Sequence, residues 1–282
     1  MTLRASLGLG LLAAALFAGC EGGLTFSDAG APDALDASAP LDAPSPGDAG
    51  PRDAQPIDAY VEPHEGLGVL FIGNSYTFWN DLPAQVAELA PVPIALERSL
   101  VGGAQLQLHW ENEGRMAIER GGHDVVVLQG NSIEPLTDRD GFDTYADLLA
   151  DAASASGAEV VFYLTWARRA DSDAYTAAWS GGSPEAMQDR LTAAYVAAAE
   201  RNDARVAPVG EAFRLVLREH AEILLQVDDT SHPTPEGSYL AACVMVETIT
   251  GAPPSTEPRD DVDDATAALL RDTASRAVDM FD

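Results

Sequence analysis

The sequence predicts an α/β fold, a mainly parallel sheet of five strands with helices packed on both faces. Three observations carry that expectation. Short unbroken apolar runs recur after residue 66, they alternate with segments of helical periodicity, and most end in turns of glycine and small polar residues. Apolar runs without an alternating polar face belong to strands covered on both sides, and strand–helix alternation marks a parallel sheet. A chain of 282 residues, 46% of them hydrophobic, is long enough to enclose the core that such a sheet requires.

The first strand occupies 67–72 and stops at Gly73-Asn74-Ser75. Leu82, Val86 and Leu89 then recur at helical spacing within 81–90. Residues 94–101 form the second strand, closed by Gly102-Gly103, and 104–120 return to helical character. Val125-Val126-Val127-Leu128 centres a buried third strand over 124–129, and Leu148-Leu149 lie in the helix that follows. The fourth strand is 160–165, an alanine-rich helix covers 187–201, and 206–209 is a short fifth strand. A helix over 236–250 follows the loop 228–235. The closing helix spans 262–280, and its acidic approach, Asp260 to Asp264, suits the helix dipole better than a calcium loop.

Ahead of this domain, Arg4 precedes an apolar run from Leu7 to Ala18 that ends in small residues and Cys20. That is the arrangement of a secretory signal, and the run is too short to span a bilayer. Leu16-Phe17-Ala18-Gly19-Cys20 resembles a bacterial lipobox, which implies lipidation at Cys20 and a membrane attachment through that anchor. Glu21, in place of Asp, favours the outer membrane. All seven Asp residues between 28 and 60 are followed by Ala, with Pro interspersed, so 21–65 reads as a disordered tether. The expected layout is a leader over 1–20, the tether, and one folded domain over 66–282.

The 45 acidic residues outnumber 16 basic ones, all Arg, for a net charge of -29. Such a surface repels phosphate backbones and anionic lipid, which excludes a nucleic-acid partner. Two cysteines, Cys20 and Cys243, exclude a disulfide scaffold and a thiolate zinc cluster, and Cys243 reads as a packed side chain in an apolar helix. His64, His109, His123 and His220 show no ligand spacing, so neither a metal nor another cofactor is expected.

Ligand chemistry in parallel sheets collects beyond the carboxyl ends of the strands. Ser75 sits there, on a turn leading from strand to helix, where the helix start favours negative charge. His232 lies three residues after Asp229 in a loop closed by Pro233 and Pro235. That spacing lets the carboxylate accept the imidazole Nδ1 proton and leaves Nε2 free to take one from Ser75. Acyl transfer also needs donors for the carbonyl oxygen as it gains charge. The backbone N–H groups of Ser75 and Gly103 and the side-chain amide of Asn131 can supply them, with Gly102, Gln129 and Gly130 as alternatives. Trp166 and Arg168 follow the fourth strand, and either line the cleft or pack beside it.

These blocks, Gly73-Asn74-Ser75-Tyr76-Thr77, Gly103 in Val101-Gly-Gly-Ala-Gln105, Leu128-Gln-Gly-Asn131 and Asp229-Thr-Ser-His232, resemble those of the SGNH hydrolases of the GDSL esterase/lipase superfamily. The resemblance spans 67–250 and implies a three-layer α/β/α sandwich of flavodoxin-like type, a Ser75–His232–Asp229 triad and an oxyanion hole of Ser75, Gly103 and Asn131. It further implies a small-molecule or glycan ester as substrate. Two positions depart from the family pattern: Asn74 replaces an Asp, and Gln129 stands where Gly is usual. Those departures support an alternative, a surface binding lipoprotein that keeps the fold with an idle site.

Overall fold

The computed structural model describes residues 65–281. Cys20, the leader and the tether up to residue 64 lie outside the described residues. Five strands form one parallel sheet in the order β2-β1-β3-β4-β5. They are β1 (Leu67–Gly73), β2 (Ile94–Leu100), β3 (Val125–Leu128), β4 (Glu159–Tyr163) and β5 (Arg205–Ala207). The helices are α1 (Ser75–Phe78), α2 (Leu82–Leu89), α3 (Leu106–Glu111), α4 (Glu113–Arg120), α5 (Glu134–Thr137), α6 (Arg139–Ala155), α7 (Pro184–Arg201), α8 (Val209–Glu219), α9 (Pro235–Thr250) and α10 (Asp264–Val278). Among the described residues no helix is long and apolar enough to cross a membrane.

Strand side chains alternate between two cores. Val69, Phe71, Val125, Val127, Val161 and Tyr163 pack against α2, α8, α9 and α10. Leu70, Ile72, Val126, Leu128, Val160 and Phe162 pack against α3, α4, α6 and α7. Burial on both faces explains why the central strands read as unbroken apolar runs. α9 is apolar nearly all round because it contacts β5 as well as α2, α8 and α10. The edge strand β2 is only partly buried and carries Glu97 and Arg98, charges that discourage pairing with another sheet.

The structure revises three elements. The helical stretch expected over 104–120 is broken at Asn112, whose φ of -134° and ψ of -141° are not helical. The chain restarts so that Gly114 can lie against His109, where an added Cβ would come within 2.7 Å of the histidine Cβ. α5 is a short turn of helix that the pattern of apolar residues did not announce. α8 was not expected either, although Val209, Ala212, Phe213 and Val216 are buried at helical spacing.

α8 starts directly on the backbone leaving β4. Gly210 N–H donates to Leu164 O at 2.9 Å. A Cβ at Gly210 would sit 2.1 Å from Thr165 O, so only glycine allows this approach. Gly210→Ala is expected to destabilise the domain by about 1–3 kcal/mol through overpacking. The urea midpoint should fall, and an unchanged midpoint would show that the approach is not limiting.

Candidate active site

Parallel register brings the exit turns to one edge. Gly73 is paired with Leu100, Ile72 with Leu128, and Leu128 with Phe162, so β1, β2, β3 and β4 end together. Ser75 is the first residue of α1, and Asn74 is its N-cap, accepting from Tyr76 N at 3.2 Å. Asn74 is also bonded across the edge. Its Nδ2 donates to Ala104 O (3.0 Å) and Gly130 O (3.4 Å), and its backbone N–H donates to Gln129 Oε1 at 2.9 Å. Gln129 Nε2 donates back to Asn74 Oδ1 at 3.0 Å.

The two departures from the family pattern are therefore partners. A fully buried glutamine answers the asparagine, and Thr77 Oγ1 donates to the same Gln129 Oε1 at 2.8 Å. Gly73 makes room for this amide, since a Cβ there would lie 2.6 Å from Gln129 Oε1. Gln129 is thus removed from the alternatives for an oxyanion donor, because its NH2 group is spent on Asn74 and Gly130.

His232 and Asp229 share a tight loop. His232 Nδ1 donates to Asp229 Oδ2 at 2.5 Å, while Asp229 Oδ1 accepts from the Ser231 and His232 amides, both at 2.9 Å. Partial burial disfavours the Asp229 carboxylate, yet these bonds outweigh it and hold its pKa below the ordinary value. Thr230 has φ of 64°, a strained conformation for a β-branched residue. Val227 N–H to His232 O (2.9 Å) and Thr230 N–H to Val227 O (2.9 Å) close the loop around it. Arg169 braces the loop by donating to Gln226 O and Val227 O.

The decisive distance is 2.8 Å, from His232 Nε2 to Ser75 Oγ. With Nδ1 bearing the proton that Asp229 accepts, the serine hydroxyl donates to Nε2. Trp79 stacks on the imidazole at 4.2 Å between centroids, and Tyr76 meets it edge-on at 5.7 Å. Neither aromatic was singled out from sequence, although both lie within four residues of Ser75.

Of the two glycines after β2, Gly103 takes the left-handed φ of 70°. Asn131 Nδ2 donates to Gly103 O at 2.9 Å, so these two sequence-selected residues meet across separate loops. The backbone N–H groups of Ser75 and Gly103 have no protein acceptor among the described residues. An open groove of about 600 Å³ runs from Gly103 and Asn131 past Gln105, Leu108 and Ile133. A smaller cavity of about 70 Å³, lined by Trp166, Gln188 and Phe213, contains none of the candidate triad or oxyanion residues.

Sequence reasoning passed over Glu134. It is 1% exposed, and its carboxylate accepts from Asn131 N (2.8 Å) and Leu106 N (3.3 Å). It thereby ties the Asn131 turn to the start of α3, beyond Gly103. Burial raises its pKa to about 7, against the lowering effect of the Asn131 and Leu106 amides and with help from Asp138. A carboxyl raised on folding adds stability that is complete below its unfolded value of 4.5 and lost as pH rises through about 7. Glu134→Gln should therefore flatten the decline in thermal midpoint between pH 4.5 and 7. An equal decline in both proteins would contradict this.

No family model matches the chain, nor does any curated protein. Solved structures do. A protein of Slackia heliotrinireducens assigned to the SGNH hydrolases is 33% identical, with a TM-score of 0.57, covering 65% of this chain and 98% of its own. A DUF4886 family protein from Bacteroides uniformis is 17% identical, with a TM-score of 0.65 and coverage of 75% and 94%. Axe2, an acetylxylan esterase from Geobacillus stearothermophilus, is 14% identical, with a TM-score of 0.51 and coverage of 66% and 95%. The last two are likenesses of fold. With the first at this identity and coverage, and with the three-layer architecture and sheet described above, the chain belongs to the SGNH hydrolases.

Proposed function

We propose that the protein is a serine esterase that hydrolyses carboxylic esters, acyl groups on carbohydrate among them, through Ser75, His232 and Asp229. The observation that carries this reading is the continuous hydrogen-bond chain from Ser75 Oγ through the imidazole to Asp229. The groove beside Gly103 and Asn131 is open rather than tunnel-like and suits a bulky alcohol such as a sugar. The fold likeness to an acetylxylan esterase supports the same substrate class.

In the first half-reaction Ser75 Oγ bonds to the ester carbonyl carbon as its proton passes to His232 Nε2. Asp229 holds the imidazolium, and the N–H groups of Ser75 and Gly103 with Asn131 Nδ2 take the oxyanion. The carbon–alkoxy bond then breaks, His232 protonates the departing alcohol, and the acyl group stays on Ser75. Water repeats the attack with His232 as base, releasing the acid and restoring the serine. Lipidation at Cys20 would hold this domain at the cell envelope.

A serine-directed phosphonate should label the protein stoichiometrically on Ser75. Ser75→Ala should abolish labelling and lower ester turnover by ~10³-fold or more. Folded protein that takes no label would favour the non-catalytic binding reading instead. Cys20→Ala should move the protein from the membrane to the soluble fraction, and an unchanged distribution would overturn the anchor.

A further inference from the structure

Arg168 leaves the carboxyl end of β4 on a segment that packing holds firmly. Trp166 is sandwiched between Tyr76 (4.4 Å, 6°) and Phe213 (4.2 Å, 4°). Ala167 N–H donates to Gln188 Oε1, and Ala167 O accepts from Gln226 Nε2, both at 2.8 Å. From this root the guanidinium reaches three hydroxyls. Nη1 donates to Tyr76 OH and Ser231 Oγ, and Nη2 donates to Ser132 Oγ at 2.9 Å.

Each hydroxyl belongs to a residue adjoining one of the site residues. Tyr76 follows Ser75, Ser132 follows Asn131, and Ser231 precedes His232. Tyr76 OH and Ser231 Oγ are themselves 2.7 Å apart, which closes the cluster. Ten of the fourteen arginines in residues 65–281 pair with a carboxylate, whereas Arg168 has no ion pair among the described residues. Burial disfavours its charge, and the field of Asp229 offsets part of that effect. A half-buried cation bonded only to hydroxyls adds little stability for its desolvation, so its place here calls for another explanation.

We propose that Arg168 is a positioning residue: one planar guanidinium fixes the nucleophile turn, the Asn131 turn and the histidine loop relative to one another. The inference rests on the esterase reading above and adds a residue to it. Arginine suits the task because its fork presents donors in several fixed directions, whereas a lysine ammonium has no such spread. Alignment of nucleophile, base and oxyanion donors counts mainly in the transition state, so its loss should appear in kcat rather than KM.

The test compares kcat and KM for a nitrophenyl ester, with thermal midpoints, in Arg168→Lys, Ser132→Ala, Ser231→Ala and the doubles with Arg168→Lys. Arg168→Lys should keep the charge yet lose ~10²-fold in kcat, with KM within ~3-fold of wild type. Each serine variant should lose less, and should add little once Arg168 is lysine, because the bond it removes is already gone. Full kcat in Arg168→Lys would overturn the proposal. So would a raised KM at unchanged kcat, which would make Arg168 a substrate-binding group. If Arg168→Lys does not fold, wild-type kcat in both serine variants overturns it. Wild type that neither turns over esters nor takes the phosphonate would defeat the esterase reading, and this inference with it. Active wild type with indifferent variants defeats the positioning role alone.

Discussion

The contact between Ser75 Oγ and His232 Nε2 joins residues 157 positions apart, and the rest of the site is arranged around keeping it at 2.8 Å. The parallel sheet does the coarse work. Its strands end in register, so that turns remote in sequence emerge side by side along one edge. The loop from Asp228 to Pro235 does the fine work. It is held by the Asp229 carboxylate, by its own backbone bonds and by Arg169, and these keep Thr230 at a φ of 64°. Backbone strain of about 1–3 kcal/mol persists only where neighbouring contacts outweigh it.

Beneath the reactive groups lies a buried polar layer. Asn74 with Gln129, Glu134 with the amides of Leu106 and Asn131, and His109 Nε2 with Gly73 O all sit within it. Buried polar groups are costly unless paired, and paired ones are directional in a way that apolar contacts are not. This explains how Asn74 and Gln129 can both depart from the family pattern and still form a closed turn. An Asp at 74 could not donate to Ala104 O and Gly130 O as the asparagine does. The substitutions that argued for an idle site are better understood as two halves of one amide pair.

Much of this was legible in the sequence. Short apolar runs located β1, β3 and β4, the stretch 94–101 closed by Gly102-Gly103 located β2, and the Asp-x-x-His spacing identified a pair that bonds within one loop. The joining of Ser75 to His232 and of Gly103 to Asn131 followed from placing strand-end turns together. What escaped was whatever depends on a partner distant in sequence without a local signature. Glu134 looks like an ordinary surface residue until the chain folds over it, and Gln129, noticed as a departure from the family pattern, gives no sign in sequence that its partner is Asn74. Arg168 could be placed beside the cleft, but not bonded to three particular hydroxyls. The break at Asn112 depends on Gly114 meeting His109, a contact that periodicity does not encode. α8 is a different case: its buried stripe is present in the sequence, but it begins at Val209, the last residue of the stretch 206–209 that reads as a strand.

The central claim is that His232 bridges Ser75 and Asp229 in solution. Proton NMR of protein carrying ¹⁵N-labelled histidine tests it most directly. Such a bridge gives a far-downfield proton on His232 Nδ1 that vanishes in Asp229→Ala, and an Nε2 nitrogen shift that moves in Ser75→Ala. Absence of that proton, together with an Nε2 signal indifferent to the loss of the serine hydroxyl, would contradict it.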